Sequence, residues 1–216
     1  MSPRAYRAEL RHAATAETRS RILEAARSLL RDRRKVTFTI DAIAEKADVA
    51  RMTVYNQFGS KRGLVEALSD ELAKRGGITR LPAAFQAEDG ASGLNLLIDV
   101  FTGFWERERL AIQRLRAFTA LDPELAGYNR DVLRRQAIST VLERFVKSQH
   151  PTSPERERLI DLLWVLTGFE SYELLSAGGR SAKDVASIIK STSRELLAAK
   201  PGLTRREGAK ENGSQR

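Results

Sequence analysis

Residues 39–64 read TIDAIAEKADVARMTVYNQFGSKRGL, and the fold turns on how that stretch divides. Ile40, Ile43, Ala44 and Ala47 recur at helical spacing behind Thr39, a good cap because its hydroxyl accepts a free amide of the first turn. Asp48 falls where the chain reverses. A positive φ is often needed there, and aspartate tolerates it better than most residues. Val49 turns inward, and a short helix follows over 51–58 with Val54 and Phe58 facing in. Arg51, Met52, Thr53, Asn56 and the edge of Tyr55 face out. Gly59-Ser60 breaks that helix, and Ser60 caps another over 61–75 through Leu64, Val65, Leu68 and Leu72. Two short helices joined by a tight polar turn, with a third directly behind, form a helix-turn-helix whose second helix fits the major groove of DNA.

On the N-terminal side, residues 18–31 place Ile22, Ala25, Ala26, Leu29 and Leu30 on one face of an amphipathic helix, with arginines opposite. A charged turn over 32–35 ends it, and Val36 and Phe38 are apolar anchors leading into the helix behind Thr39. Residues 1–15 are polar and basic, so a flexible arm is expected, free to order on DNA and reach a minor groove. The chain carries a net charge of +9. Residues 1–35 hold 10 basic and 4 acidic side chains, and residues 36–75 hold 6 of each, so much of the excess lies beside the helix-turn-helix. Such a flank attracts phosphates or anionic membranes. The arm (Arg4, Arg7, Arg11) lacks a matching apolar face, which favours phosphate.

The 216 residues, 42% hydrophobic and 30% charged, have room for a small DNA-binding domain over 16–75 and a larger one over 91–200. Between them, residues 76–90 (GGITRLPAAFQAEDG) interrupt the helical pattern and read as a linker, with a short turn around 81–85. Beyond it the pattern is helical throughout: 92–107, then 110–120 up to the Asp122-Pro123 turn. Residues 124–148 are one helix, or a short one followed by a long one, through Tyr128, Val132, Leu133, Ile138 and Phe145. Ser153-Pro154 opens a helix to about residue 177, Gly178-Gly179 ends it, and Ser181 and Asp184 start the last helix, which runs to Pro201. Residues 201–216 are polar, a disordered tail. No alternating β-branched run occurs, so an all-α fold is expected. The last two helices (154–177 and 182–199) form an antiparallel hairpin. They either complete the monomer core or meet a second copy in a four-helix bundle, with Ala177, Ala182, Ala186 and Ser187 allowing close approach.

Several function classes drop out. There is no cysteine, hence no disulfide, thiolate zinc site or cysteine nucleophile. His12 and His150 fit no metal-ligand pattern, and nucleophile elbows, phosphate loops and dinucleotide fingerprints are missing. The carboxylates of Glu106/Glu108 and Glu155/Glu157 alternate with arginines, as on a solvated helix face. No enzymatic activity, cofactor or metal is expected. Apolar runs fall short of the ~20 residues of a membrane span, and no signal peptide opens the chain. A soluble cytoplasmic protein is the expectation.

Residues 18–72 resemble the DNA-binding domain of the TetR family of bacterial transcriptional regulators. The residues that carry the likeness are Arg21-Ile22-Leu23-Glu24-Ala25-Ala26, Thr39-Ile40-Asp41-Ala42-Ile43-Ala44, Thr53-Val54-Tyr55-Asn56-Gln57-Phe58 and Ser60-Lys61. Two positions depart from the pattern: Asp48 stands where the family commonly has glycine, and Ala50 where it commonly has a capping serine. The resemblance implies that Thr39, Tyr55 and Lys61 bind phosphates, which sets position. Arg51, Met52, Thr53 and Asn56 would read bases: arginine grips guanine, asparagine adenine, and threonine or methionine a thymine methyl. It implies a homodimer on a palindromic operator of double-stranded DNA, since one short helix reads few bases. It also implies a pocket for a small-molecule effector among the central helices. Candidates for its lining are Phe101, Phe104, Trp105, Phe118, Tyr128, Trp164, Phe169 and Tyr172, with Thr119, Asn129, Gln136 and Thr167 as polar contacts. The expected function is a repressor released by its ligand. The rivals are a DNA-binding regulator with no small-molecule effector and a helical sensor that has lost DNA binding.

Overall fold

Alanine, leucine, arginine and glutamate dominate the chain, and the computed structural model is built from helices joined by short turns. It describes residues 3–34, 37–146 and 153–198, with side chains over 12–34, 37–143 and 154–198. The anchor expected of Val36, the side chains of Arg4, Arg7, Arg11 and Phe145, His150 and the tail over 201–216 lie outside the described residues. The helices are α1 (Pro3–Arg31), α2 (Ile40–Lys46), α3 (Arg51–Phe58), α4 (Lys61–Gly76), α5 (Leu81–Phe85), α6 (Gly90–Leu121), α7 (Asp131–Val146), α8 (Ser153–Leu166), α9 (Phe169–Ser176) and α10 (Ala182–Ala198). Among the described residues there is no strand.

Two cores share α6. The first packs α1 to α4 around Ile22, Leu30, Ile43, Val54, Leu64 and Leu68, and takes in Ala111, Leu115 and Leu125. The second joins the first half of α6 to α5, α7, α8, α9 and α10 around Leu97, Ile98, Ile138, Leu142, Ile160 and Tyr172. Ala111 and Leu115 in the C-terminal half of α6 therefore belong to the N-terminal core, while Ile112 between them faces the second.

Four elements differ from the sequence reading. α1 starts at Pro3 rather than near residue 18, through the stretch expected as an arm. Ala5, Ala8, Ala13, Ala14 and Ala16 are strong helix formers, and extending an existing helix costs far less than nucleating one. Residues 76–90 are folded, not a spacer: a 3-10 turn (Ile78–Arg80) leads into α5, whose Ala84 is buried in the second core. The two expected helices over 92–120 are one, kinked at Glu108 (φ −111°, ψ 16°). The single helix expected over 154–177 is split at Thr167-Gly168, where Gly168 adopts an extended conformation (φ −69°, ψ 159°) and Ser171 Oγ donates back to the Val165 carbonyl at 2.6 Å. Over 124–146 the short-then-long alternative holds, with a 3-10 turn (Pro123–Leu125) before α7. In α7 the buried face runs through Arg134, Ala137, Ile138 and Val141, while Val132 and Leu133 are exposed.

Candidate DNA-binding surface and ligand cavity

The helix-turn-helix is closed by local chemistry. Thr39 caps α2, its hydroxyl accepting from the Ala42 amide at 3.2 Å. Asp48 takes φ 51°, the one non-glycine positive φ among the described residues, and the Val49 amide donates to the Ala44 carbonyl at 3.0 Å to complete the reversal. Ala50 heads α3 without a side-chain bond. Val54 is buried beneath α3, and Arg19 of α1 holds its far end by donating to the Gln57 carbonyl at 2.7 Å and lying 4.3 Å from the Phe58 ring centroid.

This framework presents Arg51, Met52 and Asn56 to solvent, with Thr53 and Tyr55 half-buried beside them and Thr39 exposed at the head of α2. Met52, at 65% exposure, is an apolar side chain with nothing to cover it. Arg51 folds back: it donates to both carboxylate oxygens of Asp41 (3.2 and 3.1 Å) and approaches the Tyr55 hydroxyl at 3.5 Å. The Tyr55 hydroxyl first, then Asp41, raises its pKa and keeps it a cation. Lys61 is placed differently. Its ammonium pairs with Asp122, just after α6, and this bond holds the Asp122 carboxyl below its ordinary pKa.

Asp122 begins a connector over 122–130 that is fastened along α4. Beyond the Lys61 pair, Arg62 donates to the Ala126 carbonyl at 2.8 Å, the Ser69 and Tyr128 hydroxyls lie 2.6 Å apart, and Arg130 pairs with Asp70. Burial raises the Tyr128 pKa, keeping that hydroxyl protonated. The same connector walls a cavity of about 710 Å³. The other walls are Ser69, Leu72 and Ala73 of α4, Ile78 and Leu81, Phe101, Phe104, Trp105 and Ile112 of α6, and Leu133 and Arg134 of α7.

Of the expected lining, Phe101, Phe104, Trp105, Tyr128, Thr119 and Asn129 face the cavity, and the rest do not. Phe118 stacks on Phe38 of the N-terminal core with ring centroids 5.4 Å apart. Phe169 meets the edge of Trp105 at 5.5 Å, and Trp164 donates its indole N–H to the Asp131 carbonyl at 3.3 Å. Tyr172 is buried and donates to Glu106; burial and that carboxylate together raise its pKa. Gln136 is exposed, and Thr167 is buried as a partner of Arg134. The sequence reading favoured aromatics and overlooked the charged members of the wall: Arg116, Arg130, Asp131 and Arg134. Arg134 is 5% exposed and donates to the Trp164 carbonyl and, at 2.9 Å, to Thr167 Oγ1. Nothing local marks it as buried. An arginine between Leu133 and Arg135 reads as solvated.

Glu108 is a second oversight, since the face read as solvated is partly interior. Its carboxylate is buried and accepts from Arg27 at 2.9 Å and Arg31 at 3.3 Å, both on α1. One residue earlier, Arg107 donates twice to the Gly76 carbonyl (2.9 and 2.6 Å). Gly76 is required here, because a Cβ would lie 2.2 Å from the Phe104 ring, and Gly77 turns the chain at φ 92°. The kink of α6 is thus tied to both α1 and the end of α4. Among the described residues no cluster of acidic or histidine side chains is suited to a metal, and no helix is long and apolar enough to cross a membrane.

Known proteins share this N-terminal architecture. The family model for bacterial regulatory proteins of the tetR family matches residues 22–68. The chain is 38% identical over 63 residues to the HTH-type transcriptional regulator AlkX of Mycobacterium tuberculosis, covering 29% of this chain and 30% of that protein. It is 45% identical over 62 residues to the uncharacterized HTH-type transcriptional regulator YvkB of Bacillus subtilis, covering 28% of this chain and 33% of that one. The match therefore spans about a third of either relative. At the level of fold the likeness extends further: a TetR-like transcriptional regulator from Rhodococcus sp. RHA1 superposes with a TM-score of 0.61 over 85% of this chain and 97% of that one, at 21% identity. Residues 22–68 thus form a helix-turn-helix domain that matches the tetR family model, and the chain as a whole shares its all-helical architecture with a TetR-like regulator.

Proposed function

We propose that the protein is a dimeric transcriptional repressor that leaves a palindromic operator when a small molecule fills the cavity behind α4. The observation that carries this reading is the double role of the connector over 122–130. It walls the cavity and is bonded to α4 at four points, the first of them Lys61. Arg51, Met52, Thr53 and Asn56 read bases, while Thr39, Tyr55 and Lys61 hold phosphates. A ligand that favours one position of the connector draws α4 with it and alters the spacing of the two recognition helices. Its leverage is limited to its difference in affinity for the two states, with about 1.4 kcal/mol for each tenfold loss of operator binding.

Exposed apolar side chains support the dimer. Val165 on α8 and Leu174 on α9 are 62% and 77% exposed, with no apolar cover in the monomer. The inner face of α10, through Val185, Ala186 and Ile189, packs on the monomer core, so Ala186 is not available to a partner.

An electrophoretic mobility shift with DNA flanking the protein's own gene, with and without fractions of a cell extract, tests the reading. A shifted band that one fraction releases is the expected result. A band that no fraction releases would leave a DNA-binding regulator without a small-molecule effector. Binding that is indifferent to salt on every fragment would count against phosphate contacts by this surface.

A further inference from the structure

We propose that the cavity selects an apolar molecule bearing a single carboxylate, which Arg134 meets from the wall; this rests on the cavity being the effector site. The lining carries three arginines (Arg116, Arg130 and Arg134) against one carboxylate, that of Asp131. Arg116 and Arg130 turn to Glu170 and Asp70, whose side chains are 62% and 65% exposed. Pairs so open to water are weak and exchange readily. Arg134 differs in being 5% exposed. Its nearest carboxylate, Asp131, stands 3.6 Å away and is shared with Arg116 at 3.7 Å. Its Nε is buried with no acceptor among the described residues.

A buried guanidinium whose nearest carboxylate is shared with a second arginine is under-compensated, and an arriving anion relieves that cost. Burial already lowers the pKa of Arg134, the mark of a cation short of compensation. Its bonds to the Trp164 carbonyl and Thr167 Oγ1 fix it before any ligand arrives, so little ordering remains to be done on binding. Leu72, Phe101, Phe104, Trp105 and Ile112 form an apolar stretch of the wall that suits a hydrocarbon or aromatic body. Although aromatic walls also attract cations, three arginines in the same lining repel them.

The test uses the full chain and N-phenyl-1-naphthylamine, an uncharged dye that fluoresces in apolar cavities. Decanoate and decan-1-ol, alike except for the charged end, then compete for its place. Decanoate is expected to displace the dye at a concentration about tenfold lower than decanol, as befits a hydrogen bond to a charged group. Arg134→Gln should bring the two competitors within about twofold of each other while the dye still binds, and Arg134→Lys should keep part of the preference. Equal displacement in the wild-type protein would overturn the carboxylate and leave the cavity as an effector site for neutral molecules. A preference that survives Arg134→Gln would overturn the role of Arg134. Failure of the wild-type protein to bind the dye, decanoate or decanol would overturn the cavity itself as the effector site. If Arg134→Gln does not fold, the wild-type comparison still decides the class of ligand.

Discussion

Asn56 and Met52 stand in solvent on a helix held from below by Val54 and at its end by Arg19, so their freedom is confined to the side chain. That arrangement separates two kinds of contact. Asn56→Ala should weaken operator binding about tenfold and relax preference at one base pair of each half-site, because a bidentate amide contributes ~1–3 kcal/mol of discrimination. Tyr55→Phe should weaken all sequences alike. Competition binding across operator variants checks both, and an Asn56→Ala profile identical to the wild type would remove that residue from base reading. Ala50 offers a gain: serine there supplies the missing cap of α3, raising stability by ~1 kcal/mol in thermal unfolding. The framework that holds them was legible in the sequence because it is local. The cap at Thr39, the positive φ of Asp48 and the uncapped Ala50 each depend on neighbours within four positions.

At the scale of elements, the connector decides how α4 is held. Lys61 has two claimants, Asp122 and, under the proposed function, an operator phosphate. Asp122→Asn should therefore raise operator affinity about threefold, the range of a partly exposed ion pair, and blunt release by the effector. A fall in affinity would mean instead that Asp122 positions Lys61 for DNA. Because Lys61 holds the folded-state pKa of Asp122 below its unfolded value, the stability from this pair is complete above the ordinary carboxylate range. It is lost only as pH falls through the depressed value, so the effect of Asp122→Asn should be the same at pH 6 and pH 8. Glu108→Gln tests the other tie. It leaves Arg27, 17% exposed, without its full counter-charge, and should cost ~3 kcal/mol in denaturant unfolding. An unchanged midpoint would show that Arg27 finds water instead. Neither tie was visible in the sequence. Asp122 read as a helix stop beside Pro123, and Glu108 as one of a solvated acid pair, since their partners lie 61 and 81 positions away in the chain.

For the whole molecule, the two cores meet along α6, so under the proposed function ligand and operator would act on one continuous body. The proposed dimer would double the recognition helix onto a palindrome. Leu174→Glu places a charge on an exposed apolar position of α9 and should shift sedimentation toward the monomer while leaving helix content intact. Operator affinity should fall with it, since a lone half-site loses the partner's contribution. Sedimentation as an unchanged dimer would move the interface away from α9.

The sequence by itself determined the all-helical class, the helix-turn-helix and the face of α3 that meets solvent, because helical periodicity, caps and turns are written in residues a few positions apart. It also marked Phe101, Phe104, Trp105 and Tyr128 as cavity residues, while Phe118, Trp164, Phe169 and Tyr172 share the same aromatic character and lie elsewhere. Only the tertiary structure decided between them. Aromatic spacing records that a side chain is buried, not which neighbours bury it. The burial of Arg134 and Glu108 and the seizure of Lys61 by Asp122 likewise depend on contacts between distant segments, and those exist only once the helices have packed.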